Sequence, residues 1–181
     1  GKLWIGTKAG LSVLDPDTLT IERLPILSEV TSILEVNPGE IWVAADQLYS
    51  VVAGKVNQVE QIKSVVSQLA YAESYLWVSS STFLYQRDLS GVWQQFALPA
   101  ELAQMPIYDL AWVDGSLLLA SEIGLYRLEQ DGQIRLQALP DQSHVPVYQI
   151  LQDSTGTIWL SAYRKLFYQA KQSSWQTVTA N

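Results

Sequence analysis

The chain has 181 residues, of which 48% are hydrophobic and 16% are charged, and its formal net charge is −7. This composition is typical of a folded chain with enough apolar residues for a core. The 11 lysines and arginines form no cluster, so the charge pattern excludes the basic surface that binding to nucleic acid or anionic lipid requires. The absence of cysteine excludes disulfides and thiolate metal sites, and it fits both a reducing cytosol and a bacterial periplasm.

Two signals for membrane targeting are absent from the sequence. No stretch approaches the roughly 20 consecutive apolar residues of a membrane-spanning helix. The N-terminus also lacks the basic and apolar segments of a signal peptide. We therefore expect no direct insertion of this segment into a membrane.

A short motif centred on a tryptophan recurs five times along the chain. Its copies start near residues 1, 39, 74, 115 and 156. The central position is held by Trp4, Trp42, Trp77, Leu118 and Trp159. These positions are separated by 38, 35, 41 and 41 residues, and a period of this size is typical of the four-stranded blade of a β-propeller.

Each repeat predicts four strands, which we name A to D from the centre of the propeller outwards. The tryptophan motif is strand B, and a second apolar run such as 124–128 is strand C. A hairpin turn follows, and then the weaker pattern of strand D, which fits an exposed edge. Segments that precede the motif, such as 107–112 and 147–152, are strand A. The predicted fold class is therefore all-β, a propeller of four-stranded antiparallel blades, with one helical turn expected at 99–104.

The five central positions are predicted to pack between blades rather than to contact a ligand. Blade sheets pack face to face, so both sides of strand B are buried, which explains apolar runs without alternation such as 117–119. The position also recurs in every blade whatever the neighbouring loops contain. This repetition favours a structural role.

The strand count is uneven, with five copies of strands B, C and D but four of strand A. Residues 1–181 are therefore predicted to be a single propeller that is cut within a blade, because propellers usually close by combining strands from both termini. Cut blades expose unpaired edges and an apolar face. We expect these to be covered by further blades of the same protein or by self-association.

The first copy, from Gly1 to Leu11, resembles the two-component regulator propeller repeat, in which a turn glycine, a tryptophan strand, Gly-Thr and Gly-Leu follow in that order. Residues 147–160 add the segment that precedes this motif in that family. Other copies depart from the pattern, with Leu118 in place of tryptophan and Ser74 in place of glycine. The resemblance implies a periplasmic sensor region attached to a transmembrane segment and a cytoplasmic histidine kinase or diguanylate cyclase.

The sequence offers no recognisable catalytic or metal site. Its one histidine, His144, lies in a predicted loop, and a metal site needs several ligands. No nucleophile elbow, phosphate-binding glycine loop or zinc-ligand spacing occurs. We therefore predict no metal, no cofactor and no enzyme activity.

Ligand binding on a propeller is expected in loops that the rigid blades hold in place. The B-to-C and D-to-A connections share one face of the propeller, which we call the loop face. The candidate binding residues are Lys8, Asp46, Ser81, Glu122 and Arg164 in the B-to-C loops, and Met105, Tyr108, His144 and Tyr148 at or near the start of strand A.

Two of these residues are aromatic and are predicted to occupy matching positions. Tyr108 and Tyr148 would correspond to Thr31 and Val66 of other blades. Paired aromatic rings at the mouth of the central channel can stack on a sugar or another flat ligand. The alternative is that both rings simply fill the channel.

Two functions from different classes follow from these predictions. The favoured one is a periplasmic sensory module of a bacterial signal-transduction protein, which binds a small polar or carbohydrate-like ligand without turnover. The alternative is a protein-interaction scaffold whose contacts concentrate on the cut blades. A propeller lyase or hydrolase is a remote third.

Overall fold

The computed structural model describes residues 1–140, 144–171 and 173–179. This part of the chain contains nineteen β-strands and no helix. The strands form five antiparallel sheets, each built from strands that are consecutive in the sequence. The predicted all-β fold of propeller blades is therefore confirmed.

The blades follow one another along the chain. Blade 1 consists of β1 (Leu3–Thr7), β2 (Gly10–Asp15) and β3 (Thr20–Arg23). Blade 2 consists of β4 (Ser32–Asn37), β5 (Glu40–Ala44), β6 (Leu48–Val52) and β7 (Lys55–Gln58). Blade 3 consists of β8 (Val66–Ala72), β9 (Tyr75–Ser80), β10 (Phe83–Arg87) and β11 (Trp93–Ala97). Blade 4 consists of β12 (Ile107–Val113), β13 (Ser116–Ser121), β14 (Gly124–Leu128) and β15 (Ile134–Leu136). Blade 5 consists of β16 (Val147–Gln152), β17 (Ile158–Ala162), β18 (Lys165–Gln169) and β19 (Gln176–Thr177).

The connection between blades 3 and 4 contains the expected helical turn. The backbone N–H groups of Leu102 and Ala103 both donate to the carbonyl oxygen of Pro99, at 2.9 Å. The turn stops there, and it buries the Leu102 side chain completely in the core between the two blades. The turn therefore closes one end of that core.

Apolar side chains hold consecutive blades together. Four hydrophobic clusters lie between blades 1 and 2, 2 and 3, 3 and 4, and 4 and 5. Strand β13 shows why its sequence is apolar without alternation: Leu117 and Leu119 pack towards blade 3, whereas Leu118 and Ala120 pack towards blade 5. All four of these residues are fully buried. Both faces of an internal blade therefore belong to a core.

In blades 1 to 4, the central motif position faces the following blade. Trp42 and Trp77 are 4% and 2% exposed, and Leu118 is fully buried. Trp4 and Trp159, in the first and last blades of the chain, are only half-buried. Trp159 instead stacks on Tyr168 of its own sheet, with ring centroids 5.5 Å apart, and its indole N–H donates to Asp153 at 2.8 Å.

The residue before the central position faces the preceding blade. Ile41, Leu76, Leu117 and Ile158 are between 0% and 2% exposed at this position, whereas Leu3 of blade 1 is 56% exposed. Leu151 of blade 5, which pairs with Trp159, is 63% exposed. The outer faces of blades 1 and 5 therefore expose side chains of the kind that the internal junctions bury.

Candidate ligand-binding face

The loop face brings together the B-to-C loops and the start of each strand A. In blade 4, the N–H of Glu122 donates to the carbonyl oxygen of Pro106 at 3.1 Å. In blade 5, the N–H of Tyr163 donates to the carbonyl oxygen of Pro146 at 2.9 Å. These bonds fix each loop to the strand beside it, so side chains from both segments share a rigid surface.

A β-bulge sets the position of both candidate tyrosines. The register of β12 against β13 shifts between Ile107 and Asp109, and that of β16 against β17 shifts between Val147 and Gln149. Tyr108 and Tyr148 are the extra residues that the bulges insert, and a bulge redirects a side chain next to a functional site. The chain therefore presents the two rings at equivalent places in neighbouring blades.

The same register corrects one predicted equivalence. Strand β8 carries the same shift between Val66 and Gln68, so Ser67 and not Val66 corresponds to the tyrosines. The strand A segments of the repeats were aligned wrongly by one residue, because a bulge adds a residue without changing the apolar pattern. The Ser67 hydroxyl lies 2.8 Å from that of Ser79, so this blade places a small polar pair where blades 4 and 5 place rings.

Three of the predicted residues meet in one cluster. The Tyr108 hydroxyl donates to a carboxylate oxygen of Glu122. The centroids of the Tyr108 and Tyr148 rings are 5.4 Å apart, with the ring planes inclined at 51°. The hydrogen bond to Glu122, followed by burial, raises the pKa of Tyr108 from 10.0 to about 12. Tyr108 therefore stays neutral and fixed at physiological pH, while Tyr148 remains 38% exposed.

An aspartate that the sequence did not single out supports this cluster. The two carboxylate oxygens of Asp109 accept the N–H groups of Leu110, at 2.9 Å, and of Ile150 in blade 5, at 2.8 Å. Burial raises the pKa of the Asp109 carboxyl, and these two N–H groups act in the opposite direction. Because the bond to Ile150 crosses from β12 to β16, it fixes the strands that carry the two tyrosines. The sequence signal that could have identified Asp109 is a carboxylate residue within a predicted strand A.

Three other predicted residues, Asp46, Arg164 and Lys8, lie elsewhere on the loop face. Asp46 accepts hydrogen bonds from Ser28 at 2.5 Å and from Tyr49 at 3.2 Å. The Arg164 guanidinium lies over the ring of Tyr163, 5.1 Å from its centroid. Lys8 is exposed in the turn of blade 1. Their participation in binding stays a prediction.

The last three predicted residues, Ser81, Met105 and His144, lie on other parts of this face. Ser81 and Met105 line a shallow cavity of about 170 Å³ between blades 3 and 4. His144 is exposed and directly follows residues 141–143, which lie outside the described residues. Among the described residues, no group of three or more His, Cys, Asp or Glu side chains has the arrangement of a metal site.

The fold is similar to that of several solved propellers. An extracellular domain assigned to a one-component system of B. thetaiotaomicron matches with a TM-score of 0.82 and 18% identity, over 100% of this chain and 26% of that chain. Another, assigned to a hybrid two-component system of that organism, matches with a TM-score of 0.67 and 17% identity, over 90% and 24%. Virginiamycin B lyase from Staphylococcus aureus matches with a TM-score of 0.78 and 14% identity, over 98% and 66%.

Sequence comparison adds no family to this structural likeness. No family model matches the chain, and no curated protein matches it. The chain spans about a quarter of the sensor domains and 66% of the lyase. None of the described residues forms a helix long and apolar enough to cross a membrane. At these identities the comparisons establish the propeller fold, which both signalling and catalytic proteins use.

Proposed function

We propose that this chain is a sensory, ligand-binding propeller module of a bacterial membrane-anchored signal-transduction protein, and that it lies in the periplasm. Its ligand would be a small polar or carbohydrate-like molecule, bound without turnover. The observation that carries this proposal is the cluster of Tyr108, Tyr148 and Glu122 on the loop face, where two rings lie 5.4 Å apart beside a carboxylate.

The chemistry of the cluster suits a hydroxyl-rich ring. Aromatic faces stack on the C–H surface of such a ligand, and polar tips fix its orientation. Tyr148 retains exposed ring surface, whereas Tyr108 is held by Glu122. The Glu122 carboxylate can accept further hydrogen bonds, because an ionised carboxylate has about four lone-pair positions. Arg164 and His144 lie on loops of the neighbouring blade and are proposed as secondary contacts.

The proposed location and signalling role draw support from the comparisons. Two of the similar structures are extracellular domains assigned to one- and two-component systems of B. thetaiotaomicron. The absence of cysteine is compatible with that compartment. A membrane anchor and an output domain are part of this proposal.

Calorimetric titration of the chain with a panel of neutral mono- and disaccharides tests the binding proposal. We expect at least one sugar to bind, and we expect Tyr148→Ala to weaken that binding by about tenfold, because stacking on one ring is worth about 1 kcal/mol or more. Tyr71→Ala is the matched control, since Tyr71 is 36% exposed but lies at the far end of strand β8. Equal weakening by both variants, or binding by no sugar, would contradict the proposal.

The alternative function is a protein-interaction scaffold, and the outer faces of blades 1 and 5 favour it. Leu3 is 56% exposed although its equivalents in the internal blades are buried, and Leu151 is 63% exposed although its equivalents there are half-buried. Light scattering of the 181-residue chain measures its oligomeric state directly. A dimer or larger species that Leu3→Glu or Leu151→Glu dissociates would support interaction through these faces. A monomer would direct attention back to the loop face.

A catalytic propeller is the remaining alternative, because virginiamycin B lyase has a similar fold. A catalytically inactive variant of that lyase, with a histidine replaced by alanine, has been solved with quinupristin. The present chain has one histidine, His144, at the loop face. Incubation with quinupristin followed by chromatography distinguishes the alternatives: we expect unchanged quinupristin, and conversion that His144→Ala abolishes would establish a lyase.

A further inference from the structure

A cleft opens between blades 3 and 4 on the face opposite the loop face. We call this opposite side, which carries the A-to-B and C-to-D turns, the turn face. The cleft has a volume of about 400 Å³, which is within the usual range for a small-molecule site. Its walls come from strands of blade 3 and from strands and two turns of blade 4. The lining residues include Trp77, Phe96, Trp112, Leu128, Glu129 and Asp131.

Three aromatic rings, two from blade 3 and one from blade 4, line this cleft. The centroid of the Trp77 ring lies 6.1 Å from that of Phe96 and 5.9 Å from that of Trp112. Trp77 is almost fully buried, whereas Phe96 and Trp112 are half-buried and keep part of their surface exposed. Grouped aromatic faces carry negative electrostatic potential, and this attracts an organic cation.

The charged groups that line the cleft also favour a cation. Its lining contains the carboxylates of Glu129 and Asp131 and no lysine, arginine or histidine. Asp131 is paired with Arg135 at 2.6 Å on the exposed rim, and Glu129 accepts a long hydrogen bond from Gln137 at 3.5 Å. The local charge, like the net charge of −7, therefore disfavours anions.

At the junction between blades 2 and 3, an arginine side chain occupies the space that corresponds to the cleft. Between blades 2 and 3, the Arg87 guanidinium carbon lies 5.3 Å from the centroid of the Trp42 ring and 6.0 Å from that of Trp93. Arg87 and Trp42 both line a cleft of about 190 Å³ at this junction. There a guanidinium supplied by the protein covers the repeated tryptophan.

The backbones of the two junctions match, so the side chains account for the difference. Arg87 pairs with Leu76 at the end of strand C in blade 3, and Leu128 occupies the same place in blade 4. The C-to-D turns have the same hydrogen bonds: Gly91 donates to Asp88 at 3.0 Å, and Gly132 donates to Glu129 at 2.9 Å. Replacement of the arginine by Leu128 leaves the larger cleft without an internal cation.

We propose that the cleft between blades 3 and 4 binds a guanidinium group, which packs against Phe96 and Trp112 and pairs with Glu129. This site lies on the turn face, and it does not depend on the ligand proposed for the loop face. The group would be a free guanidinium compound or the side chain of an arginine in a partner. The shared chemistry is a planar cation that stacks on aromatic rings and donates to a carboxylate.

The test is a titration of the ¹⁵N-labelled chain with methylguanidinium chloride, followed through the indole N–H signals of its seven tryptophans. Sodium chloride at equal ionic strength is the blank. We expect saturable shifts for Trp77 and Trp112, and none for Trp42, whose ring Arg87 already covers. The absence of saturable shifts at Trp77 and Trp112 would overturn the proposal.

Two reciprocal substitutions sharpen this test. Leu128→Arg supplies the cleft with its own guanidinium, and we expect it to weaken methylguanidinium binding by about tenfold or more. Arg87→Leu opens the preceding junction, so the Trp42 signal should then respond. Glu129→Gln should weaken binding, whereas Glu22→Gln, on the exposed strand β3 of blade 1, should bind like the wild type. Undiminished binding by both the Leu128→Arg and Glu129→Gln proteins would overturn the site.

A parallel titration with the blocked peptide Gly-Arg-Gly identifies the source of the group. Tighter binding than that of methylguanidinium would assign the cleft to an arginine of a partner protein. Equal or weaker peptide binding would assign it to free guanidinium compounds. If neither probe binds, the assignment of a guanidinium site is wrong.

Discussion

The internal blade junctions and the two end faces of the chain carry the same repeat but differ in burial. Leu117 of blade 4 and Leu3 of blade 1 occupy the same motif position, yet Leu117 is fully buried and Leu3 is 56% exposed. The difference teaches that the repeat encodes packing between neighbours, so each apolar position stabilises the fold only where another blade covers it.

Truncation of these two leucines should show the largest contrast. Leu117→Ala removes a side chain from a closed core and should lower the free energy of unfolding by about 3 kcal/mol. Leu3→Ala, the matched control, should cost less than about 1 kcal/mol because much of its surface is already exposed. Urea unfolding measures both. Equal losses would show that blade 1 is covered in solution and would remove the contrast.

The bridge between blades 4 and 5 should give the next largest effect. Asp109→Ala leaves the buried N–H groups of Leu110 and Ile150 without their acceptor, and this should cost about 1–3 kcal/mol. Hydrogen exchange should report the loss mainly at β16, in which Ile150 lies. Uniform loss across all blades would mean that Asp109 does not act at that one junction.

Acid stability should depend on a carboxylate in blade 5. The hydroxyl of Thr155, followed by the indole N–H of Trp159 and two backbone N–H groups, lowers the pKa of Asp153 from 3.8 to about 2. A carboxyl whose pKa is lowered by folding stabilises the folded state at pH values above its pKa in the unfolded chain. That stabilisation is lost as the pH falls towards 2. The midpoint temperature of thermal unfolding should therefore fall less steeply between pH 5 and pH 2 for Asp153→Asn than for the wild type. An unchanged slope would show that these bonds do not form in solution.

The smallest predicted effect concerns the ionisation of Tyr108. Because the hydrogen bond to Glu122 is the largest cause that raises the pKa of Tyr108 to about 12, Glu122→Gln should lower this pKa towards 10. Alkaline titration of the Tyr108 ring signal by NMR, in the wild type and in the variant, measures the change. An unaltered midpoint in the variant would place Glu122 away from the hydroxyl.

The sequence was sufficient for the blades because the tryptophan motif and its period depend on local pattern. Strands B and C were predictable from their apolar runs, and the loop face follows from the order of antiparallel strands. The matching of Val66 to the tyrosines was wrong because a bulge adds one residue that no apolar pattern records. Asp109 and the cleft beside Trp77 were also missed, since both depend on contacts between side chains of different blades.

NMR mapping of a bound sugar tests whether the loop face is the binding site. We predict that chemical-shift changes on addition of the tightest sugar of the panel cluster at Tyr108, Tyr148 and Glu122. Changes concentrated on the turn face, or around Leu3 and Leu151 at the end faces, would contradict the proposed site. In that case the binding function would belong to a different surface of the propeller.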